Sequence, residues 1–127
     1  MEASDKITTL EQLKSEVRDF CEERGWNGYH GPKDLAIGLS TEANELLEIF
    51  RFVSEEDSLK KTSDAKSREA ISDELADSLF FILRFAQMYG FDLSESLKKK
   101  IKKNAVKYPV GANDYAPRAS HVIPPKS

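Results

Sequence analysis

The chain has one cysteine, Cys21, among 127 residues. An internal disulfide framework and a cysteine-rich zinc site are thereby excluded. It has no surplus of positive charge: 19 Lys and Arg face 22 Asp and Glu, for a formal net charge of −3. That balance disfavours nucleic-acid binding through phosphates. No apolar run approaches the ~18–20 residues of a membrane span. Residues Met1 to Lys6 lack the apolar core of a signal peptide. The expectation is a soluble, cytoplasmic protein without a membrane partner. A chain of this length suffices for one domain with a modest core, not for two.

Against these absences stands acid at helical spacing. Glu42-Ala43-Asn44-Glu45 and Glu74-Leu75-Ala76-Asp77 each carry two carboxylates three positions apart. On a helix both side chains of such a step leave the same face. Two helices packed with those faces together bring four acids to one point. Like charge in that amount is unfavourable unless cations neutralise it. All-oxygen ligation suits a hard cation, Mg²⁺ first and Mn²⁺ second. Either step alone is more often a solvated face. Two steps at the margins of apolar stripes on adjacent long helices are harder to read that way. A di-iron carboxylate bundle would place Glu-x-x-His on its helices. Here His30 and His121 both lie outside the predicted helices.

The rest of the chain reads as an all-α bundle of four to five helices. Thr9 with Gln12, or Thr8 with Glu11, has capping-box spacing and opens a helix over 9–24. Its stripe is Leu10, Leu13, Val17, Phe20 and Cys21. Residues 26–32 form an aromatic-rich loop by their Gly and Pro content. A second helix is predicted over 33–53, with Leu35, Leu39, Leu46, Ile49, Phe50 and Val53 as its stripe. Gly38 lies one turn before Glu42, where a missing side chain permits close approach. The charged stretch from Ser54 to Ser67 reads as an exposed connection with room for a short helical turn. A third long helix follows over 66–89, with Ile71, Leu75, Leu79, Ile82, Phe85, Ala86 and Tyr89 inward, closed by Gly90. A fourth runs from Ser94 to about 107 with Asn104 in its apolar face and Lys100 one turn earlier. We expect one domain over 1–110 and an extended tail or arm over 111–127. So few helices with such wide apolar faces need further partners, which points to assembly.

Several side chains have plain readings as well as functional ones. Lys100 fits a polyanion contact, yet Lys98, Lys99, Lys102 and Lys103 surround it. Asn104 on an apolar face is the more informative. Trp26 and His30 fit a nucleobase contact, although a loop Trp more often packs on the core. Cys21 reads as core.

Taken together these residues resemble the MazG-type, all-α nucleoside triphosphate pyrophosphohydrolases, especially their dCTP pyrophosphatase-like branch. The resemblance covers roughly 9–110. It rests on Glu42-x-x-Glu45 and Glu74-x-x-Asp77, on Trp26-x-x-Tyr29-His30-x-Pro32 upstream, and on Lys100-x-x-x-Asn104-x-x-x-Tyr108-Pro109 downstream. It implies that Glu42, Glu45, Glu74 and Asp77 hold Mg²⁺ against a triphosphate. It implies that Lys100 and Asn104 reach phosphate or sugar, and that Trp26, His30, Phe52 and Phe81 line a base pocket. Glu45 is the choice for orienting or deprotonating the attacking water, and Lys100 for neutralising phosphate charge. The implied activity is cleavage of a triphosphate to monophosphate and pyrophosphate in nucleotide-pool cleaning. The implied assembly is a homodimer or homotetramer. Asn44, Phe52, Phe81 and Val17 depart from residues common in the branch, namely Gly, Trp, Tyr and, in animal members, His. These departures bear on base preference, and dCTP with a second deoxynucleotide such as dATP is expected. The alternative is a non-catalytic helical interaction module whose acids are merely solvated.

Overall fold

The computed structural model describes residues 2–111. All regular structure among them is helical, which meets the all-α expectation. The helices are α1 (Leu10–Glu23), α2 (Pro32–Phe50), α3 (Glu55–Lys61), α4 (Ala65–Tyr89) and α5 (Leu93–Lys107), with a 3₁₀ turn at Asn27–Tyr29. Apart from Gly111, the tail expected over 111–127 lies outside the described residues. No helix among them is long and apolar enough to cross a membrane.

Local chemistry sets the helix ends. Of the two capping boxes, Thr9 and Gln12 form the one that is made. Gln12 N–H donates to Thr9 Oγ1 at 3.1 Å, and Thr9 N–H donates to Gln12 Oε1 at 2.9 Å. Pro32 opens α2, where its missing N–H costs nothing. Gly90 ends α4 in the left-handed conformation, φ 75°, and its N–H donates to Ala86 O.

Two boundaries differ from expectation. Helix α2 stops at Phe50 rather than 53. Arg51 turns extended, and Phe52 takes a left-handed φ of 66°, uncommon for a bulky residue. This reversal lets Ser54 cap a separate helix, its side chain accepting from Asp57 N–H at 3.1 Å. The expected connection therefore contains the seven-residue α3. Glu55, Glu56 and Asp57 fill its first turn and Lys60 and Lys61 its last, an order that complements the helix dipole.

Helix α4 packs against both α2 and α1. Among the described residues the fully buried apolar set is small: Cys21, Leu35, Leu83 and Ala86. Gly38 of α2 faces the Phe81 ring of α4. A Cβ added there would lie 2.6 Å from Cζ and 2.7 Å from Cδ1, so the glycine sets how near the two helices come. Much of the predicted α4 stripe stays open to solvent. Leu75, Leu79 and Ile82 are exposed, as are Ile37 and Leu47 of α2.

The chain divides into two compact units between Leu93 and Ser94. In the second, α5 carries an i,i+4 ion pair, Lys99 to Glu95 at 2.8 Å, and Tyr108 N–H donates to Asn104 O at 2.7 Å.

Candidate metal centre and its aromatic flank

The pairing of α2 with α4 brings the two acidic steps together. Glu42, Glu45 and Glu74 each offer a carboxylate oxygen, and the three oxygens lie within 4.8 Å of one another. Asp77 is exposed and stands outside that set, yet its charge reaches both Glu42 and Glu74. Glu42 and Glu74 are half-buried, whereas Glu45 faces solvent. An open depression lined by Thr41, Asn44, Glu45, Glu48 and Glu74 gives access from outside.

The electrostatics are those of a crowded acid cluster. Burial pushes the Glu42 carboxyl up to about 7, and the neighbouring carboxyls of Glu45 and Glu74 and the charge on Asp77 add to the shift. Burial likewise raises Glu74, with Glu45 and Asp77 adding, while its contact with Glu42 works the other way. Glu42 Oε2, Glu74 Oε2 and Ser78 Oγ are buried without a hydrogen-bond partner. Buried carboxylate oxygens left in that state are costly. A hard divalent cation would satisfy them, and an all-carboxylate oxygen set is what such a cation takes. The residues fit a metal.

Helix α4 also borders an aromatic flank. Trp26 stands edge-on to Phe20 and to His30, at ring separations of 5.6 and 6.1 Å. Phe20 continues to Phe80 at 6.0 Å, and Phe80 to Phe81 at 5.7 Å. Trp26 and His30 are therefore neighbours, and Phe81 lies on Gly38 at the junction of α2 and α4. Phe52 stands almost fully exposed beyond the end of α2, with the Arg51 guanidinium 4.8 Å from its ring centre. Asn104, half-buried, and Lys100, exposed, belong to α5 in the second unit.

Sequence reasoning missed Arg84. Its side chain is 1% exposed. It donates from Nε to His30 Nδ1 at 2.9 Å, from Nη1 to Gln87 Oε1 at 2.7 Å, and from Nη2 to Asn27 Oδ1 at 2.6 Å. The Tyr89 hydroxyl donates to His30 O at 2.8 Å. Burial, and then the Arg84 charge, holds the His30 imidazole below the ordinary histidine range, against a smaller opposing pull from Asp34. The signal was present: Arg84 is the lone charge in the apolar run from Leu79 to Ala86, and such a cation is buried only when hydrogen-bonded.

Comparison with known proteins bears on the same elements. The MazG-like family model matches residues 37–120. The chain is 31% identical over 102 residues to dCTP pyrophosphatase 1 of Mus musculus, covering 80% of this chain and 60% of that protein. It is 29% identical over 101 residues to dCTP pyrophosphatase 1 of Homo sapiens, covering 80% and 59%. It thus spans about three fifths of the length of these curated relatives. A crystal structure of a pyrophosphatase from Archaeoglobus fulgidus DSM 4304 superposes with a TM-score of 0.75 at 32% identity, covering 85% of this chain and 99% of the other.

Proposed function

The chain belongs to the MazG-like family, and from that premise we propose that it is a cation-dependent nucleoside triphosphate pyrophosphohydrolase. Its products are a nucleoside monophosphate and pyrophosphate. Its substrates are dCTP and other deoxynucleotides, its cation is Mg²⁺ with Mn²⁺ as substitute, and its role is cleaning the nucleotide pool in the cytoplasm. One observation carries the reading: three carboxylate oxygens from two helices lie within 4.8 Å of one another, and two carboxylate oxygens of that cluster are buried and unpartnered.

Glu42, Glu45 and Glu74 hold the cation, with Asp77 as the fourth acid of the set. Bound there, a divalent cation would supply neutralisation of phosphate charge and a lowered pKa for water. Glu45 is the solvent-facing member, so it is the one that orients water or accepts its proton. Burial keeps Glu42 and Glu74 from relaxing outward, which suits ligands. Trp26, His30, Phe52 and Phe81 are assigned to the base pocket, and Lys100 and Asn104 to the phosphates and sugar, by the resemblance of their motifs. The functional domain spans 1–110.

Assembly belongs to the same proposal. Ile37, Leu47, Leu75, Leu79 and Ile82 are large, apolar and exposed. Covering them in a homodimer or homotetramer removes that apolar area from water.

The test is release of pyrophosphate, read as phosphate after added inorganic pyrophosphatase. The panel contains the canonical and several modified triphosphates, each with Mg²⁺, Mn²⁺ or chelator. Turnover that requires the cation is expected, with dCTP among the better substrates. A chain that cleaves no triphosphate with either cation is not this enzyme.

A further inference from the structure

The buried guanidinium of Arg84 is held by three neutral acceptors: an imidazole nitrogen and two amide oxygens. A buried cation is costly unless its donors are satisfied, so this network strongly constrains what surrounds it. It ties α4 to the segment carrying Asn27 and His30. The Tyr89 hydroxyl, one and a half turns further along α4, fastens the backbone of His30 as well.

The consequence for His30 is chemical. Arginine has donors and no acceptor. His30 Nδ1, which receives the Arg84 Nε–H at 2.9 Å, therefore carries no proton. The ring is neutral and its hydrogen sits on Nε2. Burial and the adjacent Arg84 charge oppose a second proton. His30 thus presents a donor at Nε2 and cannot exchange it for an acceptor while Arg84 stays in place. Beside it stands the Trp26 ring, 6.1 Å away and inclined at 70°.

Bases differ at the ring nitrogen in the middle of the pairing edge. In cytosine and adenine that nitrogen is unprotonated and accepts. In thymine, uracil and guanine it carries hydrogen and donates. A donor held in one tautomer meets an acceptor in the first group and another donor in the second.

Building on the nucleotide-cleaving reading above, we propose that Arg84 is a positioning residue for base selection: it locks His30 as a donor through Nε2, and thereby favours cytosine and adenine over thymine, uracil and guanine. Stacking on Trp26 is blind to this difference, because every base has a π-face. The discrimination comes from a polar group left unpaired when the wrong base covers it.

The test compares kcat/KM for dCTP, dATP, dTTP and dGTP in the full chain and in Arg84→Met and Arg84→Lys. The wild type is expected to prefer dCTP and dATP over dTTP and dGTP by about tenfold or more, the scale of one unmatched polar contact. Arg84→Met is expected to compress that ratio, chiefly through the KM values, and Arg84→Lys to restore part of it. NMR of the imidazole nitrogens, in a His121→Gln background that leaves His30 alone, should show hydrogen on Nε2 in the wild type and a mixture of tautomers in Arg84→Met. A wild type that treats the four substrates alike overturns the proposal. So does Arg84→Met lowering all four equally, because the arginine is then only structural. Should Arg84→Met not fold, the wild-type spectrum decides: hydrogen on Nδ1, or an imidazolium at neutral pH, overturns it. Should the wild type cleave no triphosphate, the catalytic reading fails by itself. The base-selection claim is then judged by whether dCMP shifts the His30 Nε2–H signal where dTMP does not.

Discussion

Replacing Gly38 with alanine tests the contact that lets α2 and α4 meet at the acids. In an open helix interior the change would stabilise by about 0.8–1.0 kcal/mol through helix propensity. Here the new methyl would lie 2.6–2.7 Å from two Phe81 ring carbons, about 1 Å inside the ordinary carbon contact of roughly 3.5–4.0 Å. Overpacking of that kind costs about 1–3 kcal/mol. The balance is a net loss of about 1 kcal/mol, worth roughly 4–8 °C in Tm for a domain near this size. Urea unfolding in chelator, at one fixed protein concentration, measures it. The decisive arm is the Phe81→Ala background, where the ring is gone and only the propensity gain remains. There the same Gly38→Ala change should stabilise, giving a coupling within about 0.5–3 kcal/mol. Stabilisation by the full propensity gain in both backgrounds would refute the close approach. Because Gly38 sits one turn before Glu42, the single variant should also need more Mg²⁺ for half-maximal turnover.

Three further outcomes follow from the acid cluster and the open faces. Glu45→Gln should abolish Mg²⁺-dependent turnover while raising the stability of the metal-free protein, since one of three crowded carboxylates no longer repels the others; full activity in that variant removes Glu45 from the site. In chelator, stability should fall as pH rises from 4.5 through about 7, because Glu42, with Glu74 also raised, binds its proton more tightly folded than unfolded, and that contribution is complete below the unfolded pKa and lost above the folded one. Thermal melts across that range check it, Mg²⁺ should flatten the trend, and a metal-free Tm that climbs instead contradicts the cluster. Light scattering at micromolar concentration should give a mass of two or four chains; an active monomer would mean that Leu75, Leu79 and Ile82 need no partner.

The helices were legible because their punctuation is strong. Thr9, Pro32 and Gly90 act where their chemistry says they should. The acids were legible because three-residue spacing and apolar flanks survive in one dimension, and three of the four meet. The end of α2 was misplaced because nothing local marks it: Arg51, Phe52 and Val53 continue an apolar, helix-tolerant pattern, and the break comes from a left-handed Phe52. Helix α3 is longer than the short turn expected in that connection, because its charges follow an order that matches the helix dipole. Arg84 was passed over because its partners, Asn27 and His30, are more than fifty positions away. Periodicity carries no information at that range.

The path between the two acidic steps has a consequence of its own. Glu45 and Glu74 are joined through α3, whose residues are mostly exposed and whose Leu59 is 63% open to solvent. The acids themselves are held by helix against helix, at Gly38 and Phe81. Covalent continuity and spatial neighbourhood are thus supplied by different parts of the molecule. The connection is a tether, and a tether can be lengthened, re-spelled or nicked while the halves stay docked. Separate fragments ending and beginning within α3 should find each other and rebuild the cluster.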